Sequence, residues 1–123
     1  MRDPRERLRD ILDAIDAIER YRDRDKVEFE QNELLQVWFV HQLQIIGEAA
    51  RTLPEETRAL APDIPWLKII GMRNILVHGY FGIDTEVVWD TVTQDIPALK
   101  PAVERLLQRL EEGTDYLSDE ESG

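Results

Sequence analysis

Arginine and histidine stand five positions apart in Arg73-Asn74-Ile75-Leu76-Val77-His78-Gly79-Tyr80. Histidine exchanges a proton near neutral pH, and arginine carries a permanent positive charge with a fork of hydrogen-bond donors. Asn74 and His78 are one helical turn apart, about 40° around a 3.6-residue repeat, and share a face. Arg73 and Asn74 interrupt the apolar run Ile69-Ile70 to Ile75-Leu76-Val77. A helix rarely buries arginine without a partner or an opening to water. Three hydrogen-bonding groups therefore converge near one helix end. Local sequence also allows a plainer account, since histidine favours a helix C-terminus and glycine is a usual stop. Tyr80, just beyond that stop, either folds back over the core or offers its hydroxyl to solvent.

Other chemistry is scarce. There is no cysteine, which excludes disulfides, thiolate zinc sites and cysteine nucleophiles. The second histidine, His41, lies seven residues before Glu48 on nearly the same helical face. It sits in the most apolar segment and reads as a hydrogen-bonded core or interface residue. With two histidines a transition-metal site needs carboxylates to complete it, and nothing singles any out, so no metal is expected. Gly71, Gly79 and Gly82 match neither the phosphate-loop nor the dinucleotide fingerprint, and no cofactor is expected.

The elements that must position these groups are helical. Asp3-Pro4-Arg5-Glu6 is a helix start, followed by a stripe of Leu8, Ile11, Leu12, Ile15 and Ile18. Tyr21 to Lys26 alternates in charge and reads as a solvated helix end or a connection. A long helix from about Gln31 to Leu53 is apolar on more than one face, which marks it as central. Pro54, Pro62 and Pro65 leave at most a short turn at Glu55–Leu60. Pro65 then opens a third helix that runs to about His78 and ends at Gly79. Asp84 caps a fourth helix, Pro97 and Pro101 break or kink the segment after it, and Leu99, Val103, Leu106, Leu107 and Leu110 form the last stripe. Gly47 and Gly71 fall inside helices, where either close approach between backbones or simple accident accounts for them. The expected fold is all-α, an antiparallel bundle of four to five helices in a single domain spanning residues 1–110.

Net charge is −11 over 123 residues, and six of the acids fall in residues 111–123 with no base among them. That segment reads as a flexible acidic tail. No basic platform exists, so any contact with RNA must use a local positive cluster. The longest stretch without a charged residue, Leu34 to Gly47, carries Gln36, His41, Gln42 and Gln44 and is too short to span a bilayer. No membrane association is expected. The N-terminus has no apolar leader, which makes the cytoplasm the expected location.

The arrangement Arg73, four residues, His78, Gly79, Tyr80 matches the Arg-x4-His-x-Tyr motif of HEPN-domain proteins. Further stretches resemble the HepT-like toxins of HEPN/MNT toxin–antitoxin modules: Gln44-Ile45-Ile46-Gly47-Glu48-Ala49-Ala50, Ile64-Pro65-Trp66, Ile69-Ile70-Gly71-Met72-Arg73-Asn74, His78 to Asp84, and Val88-Trp89. The resemblance covers roughly residues 8–110. It implies a homodimeric, metal-independent endoribonuclease that is neutralised by a small nucleotidyltransferase partner. It places Arg73 and His78 in catalysis with Asn74 assisting, and makes Tyr80 the acceptor of AMP. One protomer holds one motif histidine, whereas 2′-hydroxyl attack needs both a base and an acid. A two-fold dimer would supply both. Two other readings remain: a non-enzymatic helical partner and substrate of the nucleotidyltransferase, and a nucleotide-binding helical module.

Overall fold

The computed structural model describes residues 3–77 and 84–122, with side chains through residue 73 and from 84 to 113. All regular structure among the described residues is helical: α1 Pro4–Glu19, α2 Lys26–Gln31, α3 Glu33–Thr52, α4 Glu55–Ala59, α5 Trp66–Val77, α6 Thr85–Asp90, a π-helical segment Thr91–Asp95, and α7 Ile96–Ser122. The expected all-α class is therefore observed, with α2 as an element that the charge alternation concealed.

Side-chain caps set several of these boundaries. Asp3 Oδ1 accepts the Arg5 amide at 2.8 Å, with Pro4 at the first helical position. Asp25 accepts from Glu28 at 2.7 Å and begins α2, six residues whose only buried member is Phe29. Asn32 then caps α3 by accepting from Leu35 at 3.0 Å, which moves the start of the long helix to Glu33. Asp84 Oδ1 accepts from Val87 at 3.2 Å, as expected for the cap of α6.

Helix α3 packs on α1, α2, α5 and α6, and is central. Helices α1 and α7 run in opposite directions. Arg9 pairs with Glu111 at 2.7 Å, while Lys100 reaches Glu19 at 2.9 Å and Asp16 at 3.5 Å. Leu8, Ile11, Ile15 and Ile18 of α1 are fully buried with Phe39, Leu43 and Ile46 of α3. Each such side chain contributes roughly 1.5–3 kcal/mol through loss of water contact. Phe29 stacks on Phe39 with centroids 5.6 Å apart and lies 5.4 Å from the Trp89 ring, joining α2, α3 and α6. The Trp38 indole donates to the Ala17 carbonyl at 3.0 Å, and that of Trp66 donates to the Arg58 and Ala61 carbonyls. The second of these ties the α4 connection to the first residue of α5.

Pro97 and Pro101 do not break the chain. Residues 85–122 stay helical, with the π segment just ahead of Pro97. Proline removes an amide donor, and the ladder here widens so that the Ile96 amide reaches the Thr91 carbonyl five residues back. The Thr91 and Thr93 hydroxyls donate to the Val87 and Trp89 carbonyls at 2.7 and 2.8 Å, adding bonds where the helical pattern changes.

The two mid-helix glycines differ. A Cβ on Gly47 would lie 3.2 Å from the Ile69 carbonyl oxygen and 3.2 Å from the Arg73 Cβ, so α3 and α5 approach closely there. A Cβ on Gly71 meets nothing within 4 Å. Gly47→Ala is expected to lower stability by about 1–3 kcal/mol, because backbone on α5 must move to admit the methyl group. Chemical denaturation of the variant against wild type checks this.

Candidate active site

Arg73 lies in the last half of α5, on the side turned toward α3. The close approach at Gly47 brings the α5 backbone against α3 at that level, and the next residue of α3 is Glu48. Its Oε2 atom forms an ion pair with Arg73 Nη1 at 2.9 Å. Arg51, less than one turn further along α3, donates to the same carboxylate through Nη2 to Oε1 at 2.6 Å and Nε to Oε2 at 3.2 Å. One carboxylate thus holds two guanidinium groups.

The electrostatics follow from that geometry. The Arg51 hydrogen bond holds the Glu48 carboxyl below the usual carboxylate range. Burial opposes this as the next largest effect, and the positive charges of Arg51, Arg73 and Arg7 each add a smaller lowering. The Arg51 guanidinium is correspondingly stabilised in its charged form by Glu48. Glu48 is therefore ionised throughout the physiological range. The three side chains remain open to water, with Arg73 43% and Glu48 44% exposed. Ion pairs this exposed contribute about 0–1 kcal/mol to stability. The Arg73 guanidinium is accessible to a ligand at little cost to the fold.

Beside this pair a shallow groove of about 260 Å³ runs between α1 and α3, lined by Arg7, Asp10, His41, Gln44, Ile45 and Glu48. His41 is exposed on the outer face of α3, so it is not a core residue. The apolar neighbours that placed it in the core point the other way, with Phe39, Val40 and Leu43 buried. No cluster of three or more metal-ligating side chains occurs among the described residues.

Of the residues singled out by sequence, the structure shows the Arg73 side chain and carries the Asn74 backbone in α5. The Asn74 side chain, His78 and Tyr80 lie outside the described residues. Glu48 and Arg51 were not singled out as partners of Arg73. A signal existed: a mid-helix glycine expected to accept a close approach, with an acid directly after it, and an arginine in an apolar helix in need of a counter-charge.

The described residues form a helical fold with an accessible arginine seated at a helix crossing, in a sequence that carries Arg-x4-His-x-Tyr. Comparison with known proteins makes this specific. The family model described as ribonuclease HepT-like matches residues 11–106, and the chain belongs to that family of ribonucleases. A Methanocaldococcus jannaschii protein bearing an RNase name is 42% identical over 104 residues, covering 84% of this chain and 95% of its own. A Thermococcus cleftensis protein bearing the name ribonuclease HepT is 41% identical over 100 residues, 80% of this chain and 91% of its own. A third, from Caldanaerobacter subterraneus and also bearing an RNase name, is 38% identical over 110 residues, 89% and 98% of the two chains. No solved structure matches. No helix among the described residues is long and apolar enough to cross a membrane.

Proposed function

We propose that this ribonuclease is the toxin of a toxin–antitoxin module and cleaves RNA internally without a metal ion, using Arg73 and His78. The observation that carries the reading is the half-exposed Arg73 guanidinium, held at a helix crossing inside a family-matched segment. In the proposed reaction the ribose 2′-oxygen attacks the adjacent phosphorus as its proton passes to an imidazole. The 5′-oxygen leaves and takes a proton from a second imidazole, giving a 2′,3′-cyclic phosphate and a free 5′-hydroxyl. Arg73 stabilises the negative charge that gathers on the non-bridging oxygens, and Asn74 orients His78 or the phosphate.

Two imidazoles from one motif require a two-fold homodimer. Support for a contact surface comes from α5. Leu67 is 82% exposed, and Gly71, one turn on, has no protein atom near its would-be Cβ. A glycine inside a helix costs roughly 1 kcal/mol relative to alanine, and close approach of a second chain along the Leu67, Gly71, Asn74 stripe would offset it. The dimer also supplies a second Arg73 to set against the −11 net charge. The catalytic unit is residues 1–110, with the acidic residues 111–123 outside it.

Regulation falls on Tyr80. A partner nucleotidyltransferase would transfer AMP from ATP to its hydroxyl, releasing pyrophosphate. The added phosphodiester, two residues from His78, would compete with RNA for Arg73 by charge and by volume.

Three outcomes are expected. Arg73→Ala and His78→Ala each lose at least about 100-fold in cleavage of RNA in the presence of chelator, while thermal melting stays close to wild type. Unchanged cleavage in either variant removes that residue from the mechanism. Wild type runs as a dimer in light scattering, and Leu67→Glu runs as a monomer with depressed cleavage; a fully active monomer overturns the composite site. Co-expression with the cognate nucleotidyltransferase adds one or more AMP units to Tyr80, read by intact and peptide mass spectrometry. Tyr80→Phe stays active and insensitive to that enzyme. An unmodified Tyr80 in a silenced protein would mean inhibition by binding alone.

A further inference from the structure

An arginine side chain rotates about four bonds, and one as exposed as Arg73 would ordinarily spread over many rotamers. Here it does not stand alone. Glu48 Oε2 pairs with Nη1 by charge at 2.9 Å, and among the described residues none pairs with the Nε–Nη2 edge, the side-on fork that grips a phosphate through two parallel hydrogen bonds. Glu48 is in turn held at both oxygens by Arg51. The carboxylate is thus fixed from its own helix before it meets α5. The close approach at Gly47 sets the height of Arg73 over this pair. Gly47, Glu48 and Arg51 lie within about one and a half turns of α3 and form a seat for one side chain.

Two alternatives to an orienting role have different signs. A stabilising role is small, because all three side chains are close to half exposed. A carboxylate beside a phosphate-binding arginine also repels RNA. If repulsion were its net effect, removing Glu48 would improve substrate binding. Only orientation makes its removal damage turnover.

We propose that Glu48, anchored by Arg51, is a positioning residue for RNA cleavage: it holds Arg73 by Nη1 and presents the Nε–Nη2 edge to the scissile phosphate. The proposal rests on the reading of Arg73 as the phosphate-binding group. It is tested on the full-length chain with a defined RNA, comparing Glu48→Ala, Glu48→Gln, Glu48→Asp and Arg51→Met with wild type. Glu48→Gln keeps the shape but turns an amide NH2 toward one of the two guanidiniums.

Glu48→Ala and Glu48→Gln should lose roughly 10–100-fold in kcat with KM changed less than about threefold, the scale of a small misplacement of a catalytic group. Glu48→Asp should recover part of the loss, and Arg51→Met should lose less than Glu48→Ala. Nitrogen-15 relaxation of the Arg73 Nε–Hε group supplies a readout independent of turnover: ordered in wild type, mobile in Glu48→Ala. Wild-type kcat in Glu48→Ala, or a raised kcat/KM, overturns the proposal. If wild type cleaves no RNA, the functional reading fails by itself. An Arg73 signal equally mobile in wild type and Glu48→Ala then overturns the seat as well, whereas a difference preserves it.

Discussion

The crossing of α3 and α5 at Gly47 is the constraint on which the candidate site depends. Any side chain larger than hydrogen at that position would press on the Ile69 carbonyl and the Arg73 Cβ, both 3.2 Å away from where its first carbon would sit. Because the two helices close to that distance, a carboxylate on one can reach a guanidinium on the other at 2.9 Å. The rest of the bundle holds the crossing in place. α1 covers α3 with its fully buried leucine and isoleucines, and α7 covers α1 through the ion pairs at its two ends. The Trp66 indole fixes where α5 begins by bonding two carbonyls of the preceding connection.

An enzyme with this net charge must admit a polyanion. The structure shows how charge is concentrated locally, since Arg7, Arg51 and Arg73 all act on Glu48. Arg7, Arg51 and Arg73 share this surface with Glu48 and Asp10, while much of the acidic excess is carried elsewhere, including the six acids of residues 111–123. Screening by salt shortens the reach of the distant acids more than that of groups in contact. The local sign, more than the total, sets the potential at Arg73.

Much of the fold was legible because helix ends and helix faces leave marks in sequence. Asp3-Pro4 and Asp84 cap the helices they were expected to cap, and the Leu8 to Ile18 stripe is buried. The start of α3 was less legible: six residues with one buried member give no periodicity, and only Asp25 and Glu28, a cap three residues before an acid, betray α2. Pro97 alters the helix without ending it, because a helix can lose one donor and continue when its ladder widens. At the site, Arg73 was visible from its conflict with an apolar helix. Its partner was not, because pairing across a crossing depends on which turns of two helices meet, and one-dimensional spacing does not contain that. The core alternative for His41 failed for a related reason: average apolarity of a segment says little about the phase of one residue around the helix.

The π segment between α6 and α7 bears on chain length rather than on shape alone. Buried residues Val88, Val92 and Ile96 recur every four positions, while Ile96, Leu99, Val103 and Leu106 alternate threes and fours. On an α-helical repeat two successive steps of four drift by about 80° and would rotate the following stripe off the core. A turn that accommodates more residues absorbs that drift. Thr91–Asp95 therefore behaves as a one-residue surplus stored inside a helix, with both flanking faces still in phase. Through such a turn, a continuous helical segment can differ in length by a residue between related chains without shifting the frame that α1, α3 and α5 share.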